Sequence, residues 1–151
     1  MRLTDRTDYA LRVLMFLAVS RDRHTVAEMA AGFGVSANHL TKAVQQLQAL
    51  GWVATTPGRS GGVEMAADPR RVRVGDVVRA IEPDLNIVEC FRTDGACPLD
   101  GPCLLTGVLR DARAAFMASL DRVTLHDLVH RRQAKLTRVI LTLGSGRKET
   151  A

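Results

Sequence analysis

Thr25-Val26-Ala27-Glu28-Met29-Ala30-Ala31-Gly32-Phe33-Gly34-Val35-Ser36-Ala37-Asn38-His39-Leu40-Thr41-Lys42-Ala43-Val44-Gln45-Gln46-Leu47-Gln48-Ala49-Leu50-Gly51 is the stretch from which the fold is read. It opens on a capping box, a hydroxyl with Glu28 three residues later, which starts a short helix from Val26 to about Gly32. Val26, Met29 and Ala30 give that helix its apolar side. Gly32-Phe33-Gly34-Val35 makes a turn, and Ser36 is placed to cap the next helix, roughly Ala37 to Leu50, which Gly51 ends. Leu40, Val44 and Leu47 face inward on this second helix, whereas Asn38, Lys42 and Gln45 share its opposite side. Two helices joined by a tight glycine-containing turn, the second polar outward, form a helix-turn-helix pattern.

The next residues extend it. Trp52 to Thr56 and Gly62 to Met65 read as the strands of a hairpin, with Pro57-Gly58-Arg59-Ser60-Gly61 as its tip, the wing of a winged helix. The glycines here are no phosphate loop, since no Lys-Ser or Lys-Thr follows and no helix opens. Upstream, a helix from about Thr4 to Ser20 turns Ala10, Val13, Leu14 and Leu17 toward the core. Asp8 then points nearly opposite that stripe, flanked by Leu11 and Met15. A carboxylate between two apolar side chains is odd on a solvated face, and less odd if another subunit covers it. Downstream, Val74, Val77, Val78 and Ile81 mark a short helix stopped at Pro83. Leu105, Val108, Leu109, Ala112, Phe116 and Leu120 mark a long one, whose apolar stripe exceeds what so small a domain needs and suits a two-fold dimer. A further helix starts near Thr124 or Leu125 and continues or breaks around Arg131-Arg132.

The fold class is therefore mainly α with a small β-hairpin, a winged helix-turn-helix domain plus a long dimerisation helix. The expected divisions are residues 1–82 for the DNA-binding domain, 83–104 for a cluster-binding loop, 105–143 for dimerisation helices and 144–151 for a disordered tail. A chain of 151 residues with 46% apolar content can bury a core. Its net charge of +5 suits a polyanionic partner, although solubility alone would also account for it. Aromatic residues are only 4%, which disfavours a surface that stacks sugars or single-stranded bases. The apolar run Ala10 to Val19 is short and carries Arg12, so it is no secretory signal, and no run reaches the ~20 apolar residues of a membrane helix. A cytoplasmic protein with reduced thiols and no membrane partner is expected.

Two constellations carry chemistry. In the first, Asn38 and Lys42 are of the types that read adenine and guanine edges in a major groove. Ser36 and His39, near a helix N-terminus, suit phosphate or base contacts, and Gln45 extends the same face. Arg59 at the wing tip suits a minor groove. Each alone reads equally well as a solvated surface residue; their gathering on one face makes the case for operator DNA. In the second, Cys90, Cys97 and Cys103 are the only cysteines. An odd, clustered count argues against a disulfide framework, and thiolates on one loop suit a soft metal centre. Structural zinc sites usually pair cysteines two to four residues apart, which this chain lacks. Wider spacing wraps a larger object, and iron–sulfur clusters are held by loop thiolates. A fourth ligand is missing, and His24, His39, His126, His130 and nearby carboxylates are all open to the role on chemistry alone. Plain buried cysteines without a function are the bland alternative. No Ser-His-Asp or paired-carboxylate arrangement points to an enzyme.

Met1-Arg2-Leu3-Thr4, Thr7-Asp8-Tyr9-Ala10-Leu11-Arg12, Gly34-Val35-Ser36-Ala37-Asn38-His39-Leu40 and Gly58-Arg59-Ser60-Gly61-Gly62 resemble the bacterial Rrf-two winged-helix regulators. The cysteine loop, Ala115-Phe116 and Val123-Thr124-Leu125-His126-Asp127-Leu128 are most similar to the nitric-oxide-sensing repressors of that family. A sister branch has a histidine three residues after its last cysteine, where this chain has Thr106. The resemblance implies a homodimeric repressor binding double-stranded operator DNA, with nitric oxide as its signal. It implies an iron–sulfur cluster, 4Fe-4S rather than 2Fe-2S, held by Cys90, Cys97 and Cys103 of one subunit and by Asp8 of the other. Freed Asp8 is then expected to pair with Arg12 at i+4. The alternatives are a regulator of the same family that senses redox or iron status, and a zinc-stabilised winged-helix repressor.

Overall fold

The computed structural model describes residues 2–58, 61–92, 97–99, 102–130 and 142. Arg59, the Arg131-Arg132 break and the tail expected from residue 144 onward lie outside the described residues.

The order of elements is α1 (Asp5–Ser20), α2 (Val26–Phe33), α3 (Ala37–Ala49), β1 (Val53–Thr56), β2 (Gly62–Met65), α4 (Val74–Ile81), α5 (Leu104–Asp121) and α6 (Leu125–His130), with a 3-10 turn at Glu89–Phe91 before α5. Mainly helical structure with one hairpin is thus what the chain adopts. Among the described residues no helix is long and apolar enough to cross a membrane.

Local chemistry sets the boundaries. Thr4 caps α1, its hydroxyl accepting from the Thr7 amide at 3.4 Å. The capping box of α2 is complete: the Glu28 amide donates to Thr25 Oγ1 at 3.1 Å, and the Thr25 amide donates to Glu28 Oε2 at 2.9 Å. Gly34, at φ 66°, ends α2 in the left-handed region where glycine is favoured. Ser36 does stand at the N-cap of α3, but its hydroxyl makes no capping bond.

α1 packs on α3, α4, α6 and β2, and the expected stripes form the core: Ala10, Val13, Leu14 and Leu17 of α1 meet Leu40, Ala43, Val44 and Leu47 of α3. Each large aliphatic side chain so buried contributes roughly 1.5–3 kcal/mol. β1 and β2 pair antiparallel from Val53↔Met65 to Thr56↔Gly62. His24 adds a bridge to the outer side of β2, exchanging backbone bonds with Val63 at 3.0 and 2.8 Å, which anchors the base of the hairpin to the α1–α2 connection. A second bridge, Arg73↔Thr124, brings the start of α4 beside the start of α6. α5 docks on α4 through its C-terminal half, where Met117 is buried, while Leu104, Leu105 and Val108 stand 89%, 59% and 63% exposed.

Candidate functional site

Burial of Leu40, Ala43, Val44 and Leu47 turns the opposite side of α3 to solvent, and Ser36, Asn38, His39, Lys42 and Gln45 are all exposed there. The crossing of α1 over α3 adds residues that the sequence alone did not single out. Arg6 and Tyr9, with Asp5, join His39 and Lys42 around a cleft of about 270 Å³. Their only sequence signal is their position off the buried stripe of α1. Two cations, Arg6 and Lys42, and two further hydrogen-bond donors, Tyr9 and His39, drawn from two helices, form a surface suited to a phosphate.

The hairpin tip is built for tightness. The Gly61 amide donates to Gly58 O at 2.9 Å, and a Cβ at Gly61 would lie 2.2 Å from Thr56 O. Only glycine fits that approach.

The cysteine segment leaves α4 at Glu82 and returns to α5 at Cys103. Cys90 lies in the 3-10 turn, Cys103 occupies the N-cap position of α5, and all three cysteines are half-buried and outside any disulfide. Cys90 Sγ is 3.6 Å from Oγ1 of Thr106, one of the two buried residues of α5. Two turns further along α5, Arg113 lies over the ring of Phe91 at 4.7 Å and donates from Nη1 to Asn86 Oδ1 at 3.2 Å. The loop is thereby fixed to α5 on both sides of Cys90. Among the described residues no three His, Cys, Asp or Glu side chains converge closely enough to hold a single metal ion. Three accessible thiols on a loop do fit the donor chemistry of an iron–sulfur cluster, which is larger than one ion and prefers sulfur.

Asp8 projects from the side of α1 away from the core, between half-buried Leu11 and Met15. Its carboxylate takes two bonds from Arg12, Nη2–Oδ2 at 2.6 Å and Nε–Oδ1 at 3.1 Å. The His24 ring meets Phe16 edge-on at 4.7 Å, His126 and His130 contact each other at 3.9 Å, and His39 is on the exposed side of α3.

A family model described as "Rrf2: Iron-dependent Transcriptional regulator" matches residues 3–131. The HTH-type transcriptional regulator NsrR of Bacillus subtilis is 43% identical over 136 residues, covering 88% of this chain and 93% of that one. The HTH-type transcriptional repressor NsrR of Streptomyces coelicolor is 47% identical over 132 residues, covering 85% and 88%. Among solved structures, "T. potens IscR" superposes with a TM-score of 0.69 at 21% identity, covering 89% of this chain and 91% of that one. The global cysteine regulator CymR of B. subtilis gives 0.68 at 22% identity, covering 87% and 98%. At such identities these two establish the winged-helix fold alone.

Proposed function

The chain belongs to the Rrf2 family of transcriptional regulators, and from that membership we propose a homodimeric repressor that binds operator DNA and releases it when nitric oxide attacks an iron–sulfur cluster. The curated relatives are regulators of transcription and not enzymes. In this reading Ser36, Asn38, His39, Lys42 and Gln45 of α3 enter a major groove, and Arg59 at the wing tip reaches the flanking minor groove. Two subunits present two reading helices to half-sites about 34 Å apart. The exposed apolar residues Leu104, Leu105 and Val108 at the start of α5 supply the face through which the subunits pair.

Cys90, Cys97 and Cys103 would hold the cluster in one subunit, with Asp8 of the partner subunit as the fourth ligand. A bound cluster, taken here as the 4Fe-4S form, would supply iron that reacts with nitric oxide. The carboxylate is the weakest donor of the set, since soft iron prefers thiolate. Once released, Asp8 has a prepared partner in Arg12 of its own helix. The single observation that carries the reading is this Asp8–Arg12 pair on the outward face of α1. Together with the ligand position proposed across the dimer it would give the carboxylate two alternative stations, the bistable element a switch requires.

The test is an anaerobic absorbance spectrum before and after stoichiometric nitric oxide, with DNA binding followed in parallel. Brown protein that bleaches and releases DNA supports the reading. Brown protein indifferent to nitric oxide favours a sensor of redox or iron status, for which the iron-dependent description of the family speaks. Colourless, zinc-containing protein would sink both.

A further inference from the structure

We propose that Glu82 is the positioning residue that carries the state of the cysteine loop to the reading helix of the same subunit. This deepens the function proposed above and depends on it only for what occupies the loop.

Glu82 closes α4 and is the last residue before the loop. Its Oε1 accepts from the Thr4 amide at 2.6 Å and from Thr4 Oγ1 at 3.2 Å. Thr4 is the N-cap of α1, and its carbonyl accepts from the Asp8 amide at 3.1 Å. A short chain of hydrogen bonds therefore runs from the entrance of the loop to the turn that bears Asp8. Two residues earlier, the carbonyl of Ala80 accepts from Nε2 of Gln46 on α3 at 3.2 Å. The last turn of α4 is thus bonded both to the cap of α1 and to the reading helix.

The remainder of the segment is restrained at several points. Pro83 restricts both its own backbone and that of Glu82, which takes the extended conformation expected before proline, φ −66° and ψ 126°. The Asn86 amide donates to Asp84 Oδ1 at 2.6 Å, and Arg113 of α5 holds Asn86 and Phe91. The segment from Ala80 to Phe91 is a strap tied to α1 and α3 at one end and to α5 at the other, with Cys90 beside its α5 end. The contact between Glu82 and Thr4 joins the last residue before the loop to the cap of the helix that bears Asp8. The Glu82–Thr4 bonds are also solvent-exposed, so losing them leaves no buried group unsatisfied.

The experiment compares wild-type full-length protein with Glu82→Ala and Glu82→Gln by amide hydrogen exchange, before and after carboxymethylation of the cysteines with iodoacetate. In wild-type protein, exchange in the first turn of α1 and along α3 should change several-fold on modification. In E82A the loop should still respond, while the first turn of α1 no longer follows and α3, which keeps its Gln46 bond to the Ala80 carbonyl, follows less. Glutamine keeps an acceptor oxygen at the same reach, so E82Q should restore transmission. A wild-type α1 that ignores the modification, or an E82A protein that transmits as wild type does, overturns the proposal. Should E82A lose its cooperative melt, Glu82→Asp, one methylene short of Thr4, takes its place. Thiolates bound to iron resist alkylation, so brown preparations are first stripped of metal with a chelator, and the exchange result then stands apart from what the loop holds. Colour judges the cluster, and exchange judges Glu82.

Discussion

Arg12 grips the carboxylate of Asp8 from one turn further along α1, through both Nη2 at 2.6 Å and Nε at 3.1 Å. The two side chains remain 46% and 47% exposed. A half-exposed pair at i,i+4 contributes only about 0.3–0.5 kcal/mol, so it is a resting place for the carboxylate and not a lock. That weakness matters for a switch, because a strong pair would compete permanently with any ligand role of Asp8.

Replacing Arg12 with alanine should therefore shift unfolding stability by less than about 0.5 kcal/mol in urea titration. If the proposed function holds, nitric oxide should release DNA less completely from R12A, since the freed carboxylate loses its alternative partner. Asp8→Ala should also fold normally, but retain its cluster less well or couple it less tightly to DNA. Unchanged cluster stability and an unchanged response in D8A would remove Asp8 from the ligand set.

The start of α5 makes a second prediction. Leu105 and Val108 are exposed, so placing aspartate at both costs the single subunit little, whereas an apolar dimer interface would be disrupted by buried charge. The double variant L105D/V108D should keep its helical circular dichroism and elute as a monomer. It should lose DNA affinity by at least tenfold, because two half-sites are no longer read together. A variant that remains dimeric by light scattering would place the interface elsewhere.

Much of this architecture is legible in the chain because it is periodic or punctuated. Ala10, Val13, Leu14 and Leu17 repeat at helical spacing, Thr25 and Glu28 stand three apart, and Gly34 and Gly51 mark the ends of α2 and α3, all adopting the conformations those patterns imply. The long-range polar contacts leave no such trace. Thr4 and Glu82 are 78 positions apart, and nothing in either neighbourhood reports the other. Arg113 over Phe91, where the loop folds back on α5, and Arg6 and Tyr9 beside His39 and Lys42, where α1 crosses α3, likewise exist only through the tertiary fold. Ser36 shows the limit from the other side, since its position at the N-cap was readable but its hydroxyl does not make the bond that usually places serine there.

The capping box of α2 offers a local check on stability. Thr25→Ala removes the oxygen that receives the Glu28 amide and should cost about 1 kcal/mol, read as a lower urea midpoint at unchanged slope. A silent substitution would mean that α2 is held by its packing on α3 alone.

The junction of α4 with α5 gives the prediction with a pH signature. Arg79 donates from Nη1 to Asp121 Oδ1 at 2.7 Å and from Nη2 to Oδ2, a fork that joins the two helices. The hydrogen bond from the guanidinium holds the Asp121 carboxyl below the usual carboxylate range, while the same bond raises Arg79 further. A carboxylate depressed in the folded state stabilises the protein above its unfolded value, near 3.8, and that contribution is lost as the pH falls through the folded value. Asp121→Asn should therefore melt a few degrees below wild type at neutral pH, and the gap should close on acidification below about pH 4. Gly75 supplies an independent test, because a Cβ there would lie 1.9 Å from Asp121 Oδ1. Gly75→Ala must push the carboxylate away from Arg79 and so should lower the melting temperature in the wild-type background. In the D121N background the same change should cost less, since the charged pair it disrupts is already gone. Additive losses across this double-mutant cycle would show that Gly75 is constrained by packing against α5 and not by the Arg79–Asp121 fork.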